Sequence, residues 1–467
     1  MLITRRRLLA TSAAVAVLPK SAIGQTTQTL ADPTQTTQTL TAKEGVQQIT
    51  PEGYPETSIW GYDGSAPGPV IRVKQGARVA REFVNSLSQG SSVHWHGIRI
   101  VNDMDGVVGL TQDAVAPGQA KLYDFVVPDA GTYWYHPHNR TWEQMARGLY
   151  GALIVDEATP PDVDRDDIFL IDDWRLTQTA AIDESFGRAM DWSHGGRIGN
   201  WVTINGKPPA DHAVKLNQRL RLRLVNVANS RIFELGVEGL EGVVVALDGQ
   251  PLDEPVAIDQ MVIAPAQRMD LIVDVTAPVG GQGALFMRGG AQNVQLARFV
   301  VEGTARPARM STPPALPANP VPALGALASA RRVDMLLEGG AMGQMRAAIV
   351  DGEQRDSRSL ASIGQYWALN GVAGMPETPL LVAERGETIM IRIINDTAFA
   401  HAMHLHGFHF RAIGPDGAQG PLRDTALVER EETVEIAFVA DNPGDWLFHC
   451  HMLEHTAAGM LTWIKVT

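Results

Sequence analysis

The sequence has almost no cysteine: Cys450 is the only one among 467 residues. A single thiol excludes an internal disulfide, and it also excludes a structural zinc site built on several cysteines. In an exported protein, a lone thiol is reactive, buried or bound to a metal. The role of Cys450 therefore depends first on whether the chain is exported.

Long apolar runs and an excess of positive charge are also missing. No apolar stretch reaches the roughly 18 residues of a membrane span, so we expect no span in the mature chain. The formal net charge of −13 opposes nucleic-acid binding, which needs a basic surface. With 45% apolar residues the chain is not a disordered tail, and its length predicts about three domains of roughly 150 residues.

The N-terminus predicts export. Residues 4–9 read TRRRLL, a twin-arginine pattern, residues 10–18 form a short, mostly apolar region, and residues 22–24 form a small-residue cleavage site. We therefore expect residues 1–24 to be a signal peptide that the twin-arginine translocon recognises, which places the folded protein in the periplasm. Residues 25–42 repeat Thr-Thr-Gln-Thr-Leu and predict a flexible polar linker.

One sequence pattern occurs three times and predicts three related β domains. Each copy starts with a Trp motif and ends in an alternating run that closes on Asn. The copies run from Trp60 to Asn85, from Trp201 to Asn226 and from Trp367 to Asn395. The terminal runs Arg219–Leu224 and Ile389–Ile393 alternate with period two, which is typical of half-buried strands.

Histidine motifs link only the first and third copies. Ten of the 13 histidines fall in four clusters, and the matching part of the middle copy, residues 230–235, has none. The middle copy is therefore expected to act as a spacer, whereas His194, His212 and His409 lie outside the clusters. The clusters are His94/His96, His136/His138, His401/His404/His406 and His449/His451/His455.

The geometry of a β-strand explains why histidines recur at these spacings. Residues i and i+2 project from the same face of a strand, so each His-x-His pair can present two imidazoles to one buried metal cluster. By the same rule Cys450 points away from His449 and His451, so that one strand would serve two sites. His401 likewise faces away from His404. With His455 and Met460, the thiolate side holds two His, one Cys and one Met, the ligand set of a blue-copper site.

These motifs, in this order, resemble the four copper-binding segments of three-domain multicopper oxidases, the family of laccases and bacterial cuprous oxidases. The resemblance covers essentially the whole mature chain. It implies four copper ions: one type 1, one type 2 and a type 3 pair. It implies type 1 ligands His401, Cys450, His455 and Met460, type 2 ligands His94 and His404, and type 3 ligands His96, His136, His138, His406, His449 and His451.

The resemblance also implies a reaction. A small-molecule or metal-ion donor gives up single electrons at the type 1 copper, the Cys450 backbone carries them to the cluster, and four electrons reduce O2 to two waters. Asp105 matches the position from which relatives deliver protons, although an Asp-Gly turn is the alternative reading of this residue. Some relatives carry an acid directly after the last type 1 histidine. Here Thr456 occupies that place and Glu454 lies on the other side, so the second proton route stays open.

Two classes of electron donor are compatible with these motifs: phenolic or other organic compounds, and Cu(I). Soft thioethers suit Cu(I), and Met335, Met342 and Met345 form a thin methionine segment. Gap-filling in the core is the other reading of these residues. A periplasmic copper-sequestering protein without turnover and a copper nitrite reductase-like enzyme are the alternative functions.

The predicted architecture is all-β, with three consecutive cupredoxin-like Greek-key barrels. The expected domains are 43–157, 158–305, which carries no copper ligands, and 331–467, which contains the type 1 copper. Residues 306–330, rich in Pro and Ala, predict a stiff linker between the second and third domains.

Overall fold

A computed structural model describes residues 37–289 and 292–467, so the predicted signal peptide and most of the predicted linker lie outside the described residues. Strands make up 48% of the described residues and helices 6%. The all-β prediction is therefore confirmed. Among the described residues, no helix is both long enough and apolar enough to cross a membrane.

The first group of strands forms two sheets. Its strands are β1 (Gln38–Gln47), β2 (Thr57–Tyr62), β3 (Ile71–Lys74), β4 (Arg78–Asn85), β5 (His94–His96), β6 (Ala120–Val126), β7 (Gly131–His136) and β8 (Gly151–Asp156). One sheet has the order β2-β1-β4-β6 and the other β3-β8-β7-β5. A 3-10 turn, Asn102–Met104, and a short helix α1, Thr141–Gln144, complete the group.

Strand β1 corrects the linker prediction. It begins at Gln38, inside the segment 25–42, and pairs with β2 and β4. Leu40 and Ala42 are fully buried in the apolar core, so the hydrophobic alternation of a strand already starts there. The polar repeat masked this signal in the sequence.

The second group forms a six-stranded sheet facing a five-stranded one. Its elements are β9 (Arg165–Trp174), α2 (Ala189–Ser193), β10 (Trp201–Ile204), β11 (Ala210–Leu216), β12 (Arg219–Asn226), β13 (Phe233–Glu238), β14 (Leu240–Leu247), β15 (Gln250–Ala257), β16 (Met261–Ile263), β17 (Arg268–Val275), β18 (Gln282–Met287) and β19 (Val294–Thr304). The sheet orders are β10-β9-β12-β17-β14-β15 and β11-β19-β18-β13-β16.

Strand β12 differs from the half-buried strand that its alternation predicted, because every one of its residues is buried. Its arginines are buried too, since each meets an acid across the sheet: Arg219 pairs with Asp274 at 2.8 Å and Arg221 with Asp270 at 2.7 Å. A buried charge is tolerated when it is paired and hydrogen-bonded in this way. Alternation alone could not show that the polar face of this strand is covered.

The third group repeats the two-sheet arrangement. Its elements are β20 (Arg331–Gly339), β21 (Ala347–Val350), β22 (Glu353–Asp356), α3 (Ser357–Ser362), β23 (Trp367–Leu369), β24 (Leu381–Ala383), β25 (Thr388–Asn395), β26 (His401–Leu405), β27 (Phe410–Ile413), β28 (Gln419–Arg423), β29 (Thr425–Val428), β30 (Thr433–Val439), β31 (Gly444–Cys450), α4 (Leu453–Ala457) and β32 (Leu461–Val466). The sheet orders are β23-β20-β25-β30-β27-β28 and β24-β32-β31-β26-β29, with a hairpin β21-β22.

The apolar cores position the first and third groups against each other. Buried residues of these two groups form one continuous cluster, which includes Trp95 and Cys450. The second group has a core of its own, and a third cluster that includes Trp134, Trp174 and Leu453 joins it to the others. The histidine-bearing strands of the first and third groups therefore meet at a buried interface.

Candidate metal centre

Strand pairing brings the histidine motifs together. In the first group His94 lies opposite His136 across β5 and β7. In the third group His404 lies opposite His449, and Met403 lies opposite Cys450, across β26 and β31. Since neighbouring residues on a strand face opposite sides, this register directs His449 and Cys450 into two different sites.

The first site consists of His401, Cys450 and His455. The Nδ1 atoms of the two histidines lie 3.1 Å apart, and Cys450 Sγ is 3.6 Å from Nδ1 of His401 and 3.7 Å from Nδ1 of His455. All three side chains are completely buried. Two imidazole nitrogens and one sulfur thus converge on a point that water does not reach.

The hydrogen bonds behind these rings identify the nitrogens that carry lone pairs. Nε2 of His455 faces the carbonyl oxygen of His194, which only accepts, so that nitrogen carries the proton. Nε2 of His401 faces Thr397 Oγ1 at 2.8 Å, and this hydroxyl is within donating distance of Asn395 Oδ1 and the Phe399 carbonyl. We therefore assign the proton of His401 to Nε2 as well. Both Nδ1 atoms then direct lone pairs at each other, an arrangement that fits ligation of a cation.

Met460 and Trp367 complete the surroundings of this site. Met460 is fully buried, and its carbonyl oxygen accepts the Cys450 N–H at 3.1 Å, while its N–H donates to the His455 carbonyl at 3.0 Å. The Trp367 ring packs on the His455 ring with centroids 4.4 Å apart. Burial raises the pKa of the Cys450 thiol to about 12, so a cation is needed to hold this sulfur as a thiolate.

The second site gathers the remaining clustered histidines at the interface of the first and third groups. Three overlapping sets of nitrogens each lie within 4.8 Å of one another: His94 with His404 and His406, His94 with His96 and His136, and His138 with His406 and His449. His451 joins them, since its Nε2 lies 3.4 Å from Nε2 of His136. The structure thus brings together all eight histidines of the four His-x-His pairs.

The rings of this cluster direct lone pairs inward. Nδ1 of His449 donates to the Cys450 carbonyl at 2.9 Å, and Nδ1 of His406 donates to Asp105 at 3.0 Å. Their Nε2 atoms therefore carry no proton, yet they lie only 3.1 Å apart. Other buried ring nitrogens have no hydrogen-bond partner within the part of the chain that the structure describes, and they belong to His94, His96, His138, His404 and His451. Buried nitrogens without a hydrogen-bond partner are suited to metal binding, and a ligand set of His and Cys suits copper.

Burial also sets the protonation of these rings. It lowers the pKa well below its usual range for His96, His136 and His138, and neighbouring imidazoles lower it further. The same causes act on His406, His449 and His451. Neutral imidazoles are the form that binds metal.

Asp105 lies directly beside the cluster. Its side chain is fully buried, with Oδ2 3.0 Å from Nδ1 of His406 and Oδ1 3.2 Å from Nδ1 of His94. Gly106 follows with φ +82°, and a Cβ there would lie 1.9 Å from the Val93 carbonyl oxygen. The Asp-Gly pair thus makes a turn, and this turn delivers the carboxylate to two histidines.

Asp424 is a second buried acid at the cluster, and the sequence motifs gave no sign of it. Its Oδ1 lies 3.4 Å from Nε2 of His96, and its backbone carbonyl accepts from Nδ1 of His404 at 2.9 Å. Burial alone would raise its pKa, but the Arg268 guanidinium and the His96 ring hold the pKa well below its usual range. The ion pair with Arg268 therefore favours the charged form of this carboxylate beside the cluster.

The middle group is more than the spacer that the sequence predicted. Arg268, which pairs with Asp424, belongs to β17. Asn229 and Ser230 donate to the buried Glu454, and the His194 carbonyl accepts from His455. These residues of the middle group lie outside the histidine motifs, so no motif spacing or repeat could have predicted their role at the sites.

The methionine segment and the remaining histidines lie in separate places. Met335 is fully buried in the shared core, Met345 packs against the small cluster that includes Leu360, and Met342 is 79% exposed. His409 is buried 3.7 Å from Asp424, whereas His212 packs between Phe169 and Phe299. His194 is partly exposed beside His455.

Comparison with known proteins identifies the family of the chain. Three family profiles described as "Multicopper oxidase" match residues 44–160, 165–297 and 349–467. Multicopper oxidase MmcO of Mycobacterium tuberculosis is 31% identical over 88% of this chain and 83% of its own length. The crystal structure of Lac15 from a marine microbial metagenome is 42% identical, with a TM-score of 0.76 over 92% of this chain and all of that chain. A multi-copper oxidase from Pseudomonas thermotolerans superimposes with a TM-score of 0.80 at 29% identity, over 93% of this chain and 100% of the other. The chain therefore belongs to the multicopper oxidase family.

Proposed function

We propose that the protein oxidises a donor by single electrons at a type 1 copper and reduces O2 to water at a trinuclear copper cluster, with four copper ions per chain. Two contacts between unprotonated ring nitrogens carry this proposal: Nδ1 of His401 with Nδ1 of His455, and Nε2 of His406 with Nε2 of His449. The two contacts lie on opposite sides of strand β31. The segment from His449 to His451 joins the two sites covalently. A protein that only stored copper would not need this connection.

For the ligand roles we adopt the assignment that the family resemblance implies. His401, Cys450, His455 and Met460 hold the type 1 copper, and His94 and His404 hold the type 2 copper. When bound, copper supplies one-electron redox chemistry and the binding site for O2. The type 3 pair is held by His96, His136, His138, His406, His449 and His451.

The chain also supplies proton carriers. The Asp105 carboxylate contacts ring nitrogens of His94 and His406, so it is placed to accept and return a proton beside the cluster. Thr456, where some relatives carry an acid, donates instead to the Cys450 carbonyl and lies 3.1 Å from Nδ1 of His449. Glu454 is engaged by Asn229 and Ser230, so Asp105 is the main proton carrier in this proposal.

A phenolic or other organic compound is the proposed donor. Met335 and Met345 are committed to packing in different clusters, so the methionine segment offers only the Met342 sulfur to a Cu(I) donor. Laccase-1 of Cryptococcus neoformans is 28% identical over 89% of this chain and 78% of its own length. Both observations support organic donors.

Oxidation of Cu(I) in copper tolerance is the second candidate. Copper resistance protein A of Escherichia coli is 24% identical over 86% of this chain and 88% of its own length. The thioethers of Met342 and Met190 are exposed, the latter to 64%, and supply soft sulfur ligands for Cu(I). Export of the folded protein to the periplasm by the twin-arginine route, proposed from residues 1–24, would suit this role.

Copper analysis and spectroscopy test the proposal. We expect about four copper ions per chain, an intense thiolate-to-copper absorption band, and O2 uptake with 2,6-dimethoxyphenol. Cys450→Ser removes the sulfur ligand, so the band and the O2 uptake should both disappear while the copper of the trinuclear cluster remains. His212→Ala, which lies outside both sites, is the matched control and should behave like wild type.

Three outcomes would overturn the proposal. Full turnover in Cys450→Ser would exclude the electron path through this residue. Copper binding without O2 uptake would favour a sequestering protein. Reduction of nitrite in place of O2, with fewer copper ions than four per chain, would favour a nitrite reductase-like enzyme.

A further inference from the structure

A short segment of the middle group covers the type 1 ligands, and we call residues 189–196 the strap. Three consecutive carbonyl oxygens of the strap accept hydrogen bonds from the third group. Trp192 O accepts from Trp367 Nε1 at 2.6 Å, and Ser193 O accepts from the Ala341 N–H at 2.6 Å. His194 O accepts from His455 Nε2 at 2.6 Å. The strap is thus fixed over the site by its backbone.

The strap keeps donors away from His455. That ring is completely buried, and the only proton on Nε2 is already donated to His194 O. The Trp367 ring covers one face of the imidazole. A phenol therefore cannot form a hydrogen bond with the type 1 histidine while the strap is in place.

The His194 side chain provides an accessible hydrogen-bond acceptor, which the His455 side chain does not. Ser193 Oγ donates its single proton to the Ala189 carbonyl at 2.7 Å, so it accepts from Nδ1 of His194, which lies 3.0 Å away. Nε2 of His194 then keeps its lone pair, and this atom has no hydrogen-bond partner among the described residues. The ring is partly exposed and packs edge-on against Phe399, with centroids 5.8 Å apart.

We propose that Nε2 of His194 binds the hydroxyl group of a phenolic donor as a hydrogen-bond acceptor. The phenol loses one electron and one proton and leaves as a phenoxyl radical. The hydroxyl donates its hydrogen bond to Nε2 of His194, and its proton leaves to solvent when the electron departs. The electron crosses the hydrogen bond from His194 O to Nε2 of His455 and is accepted at the type 1 site. This inference rests on the proposed function of His401, Cys450 and His455.

Anaerobic bleaching of the type 1 absorption band tests the inference in the copper-loaded protein, separately from O2 turnover. The probes are 2,6-dimethoxyphenol, which must lose a proton, and ferrocyanide, which has none to lose. His194→Ala removes the imidazole, and His194→Gln keeps a hydrogen-bond acceptor at this position. His194→Ala should slow bleaching by a subsaturating concentration of the phenol about tenfold or more, whereas His194→Gln should keep most of the wild-type rate, and both should leave bleaching by ferrocyanide within about twofold of wild type. The phenol concentration for half-maximal rate should rise only in the alanine variant.

The band and the type 1 potential should not change in either variant, because the His194 carbonyl remains. His212→Ala is the control from the same group of strands. Equal slowing with both donors, or slowing with neither, would overturn the inference. Loss of the band in both His194 variants would also overturn it, since His194 would then be a structural residue. A wild-type protein without the band would instead refute the proposed function itself.

Discussion

Arg268 and Asp424 form a completely buried ion pair between the second and third groups of strands, with Nη2 and Oδ2 2.6 Å apart and Nη1 and Oδ1 2.8 Å apart. The same carboxylate lies 3.4 Å from His96 of the first group. The Asp424 side chain thus connects all three groups beside the histidine cluster. The contact explains why a middle group without clustered histidines still matters for the site.

We expect Arg268→Gln to destabilise the protein strongly, because it leaves the Asp424 carboxylate buried without its cation. Removing one partner of a buried pair costs about 3–5 kcal/mol of unfolding free energy. The pKa of Asp424 should rise, and the copper held next to it by His404 should be bound more weakly. Denaturant unfolding and copper analysis measure both effects.

The control for this variant is Arg298→Gln, which breaks the exposed pair with Asp211. Exposed pairs contribute little, so its melting temperature and copper content should match wild type. If Arg268→Gln kept wild-type stability and full copper content, the buried pair would have no role in holding the cluster.

Asp105→Asn should slow the oxygen half of the reaction and spare the donor half. The amide keeps the shape of the side chain that contacts His94 and His406, but it cannot carry a proton. We expect reoxidation of the reduced protein by O2 to slow about a hundredfold or more, the usual contribution of a positioned acid or base. Stopped-flow spectroscopy of the two half-reactions separates them.

Asp103→Asn is the matched control for this test, because Asp103 precedes Asp105 by only two positions and is exposed. It should leave both half-reactions unchanged. Reoxidation of Asp105→Asn at the wild-type rate would show that protons reach the cluster by another route.

The sequence predicted the parts of the site that depend on local spacing. The i, i+2 rule placed His449 and His451 on one face and Cys450 on the other, and the structure has the same division between its two clusters. The three-residue spacing of His401 and His404 separated them in the same way. These relationships hold within one strand, so they can be read from adjacent residues.

The parts that the sequence did not predict depend on contacts between groups. Arg268, Asp424 and His194 each stand alone in the chain and acquire a role only when strands far apart in sequence are packed together. The buried arginines of β12 show the same limit, since their partners Asp270 and Asp274 lie on β17. Alternation indicates which face is polar, but not whether another layer covers it.

His409→Ala should leave the copper content unchanged and lower the stability. The ring is buried within 3.7 Å of Asp424 and 3.3 Å from the Asp248 carbonyl, behind the ligands and not among them. Leaving buried polar partners unsatisfied costs about 1–3 kcal/mol. Copper analysis of His409→Ala and of His212→Ala checks the ligand assignment, which loss of a full copper equivalent from either variant would refute.

The residues of the methionine segment differ so much in burial that substituting them should have different effects on stability. Met335→Ala should destabilise the protein by about 2–5 kcal/mol, since Met335 is completely buried in the shared core. A variant that changed it together with Met342 would confuse lost stability with lost donor binding. Met342→Leu alone changes an exposed side chain and should leave the melting temperature unchanged.

O2 uptake of Met342→Leu with Cu(I) and with 2,6-dimethoxyphenol then compares the two candidate donors. A lone thioether is a weak site for Cu(I), and the sulfurs of Met335 and Met345 are engaged in separate clusters. We therefore expect the rates with both donors to stay at the wild-type level. A selective loss with Cu(I) would instead show that the exposed sulfur of Met342 binds the cuprous donor, and the copper-tolerance role would replace the phenolic one.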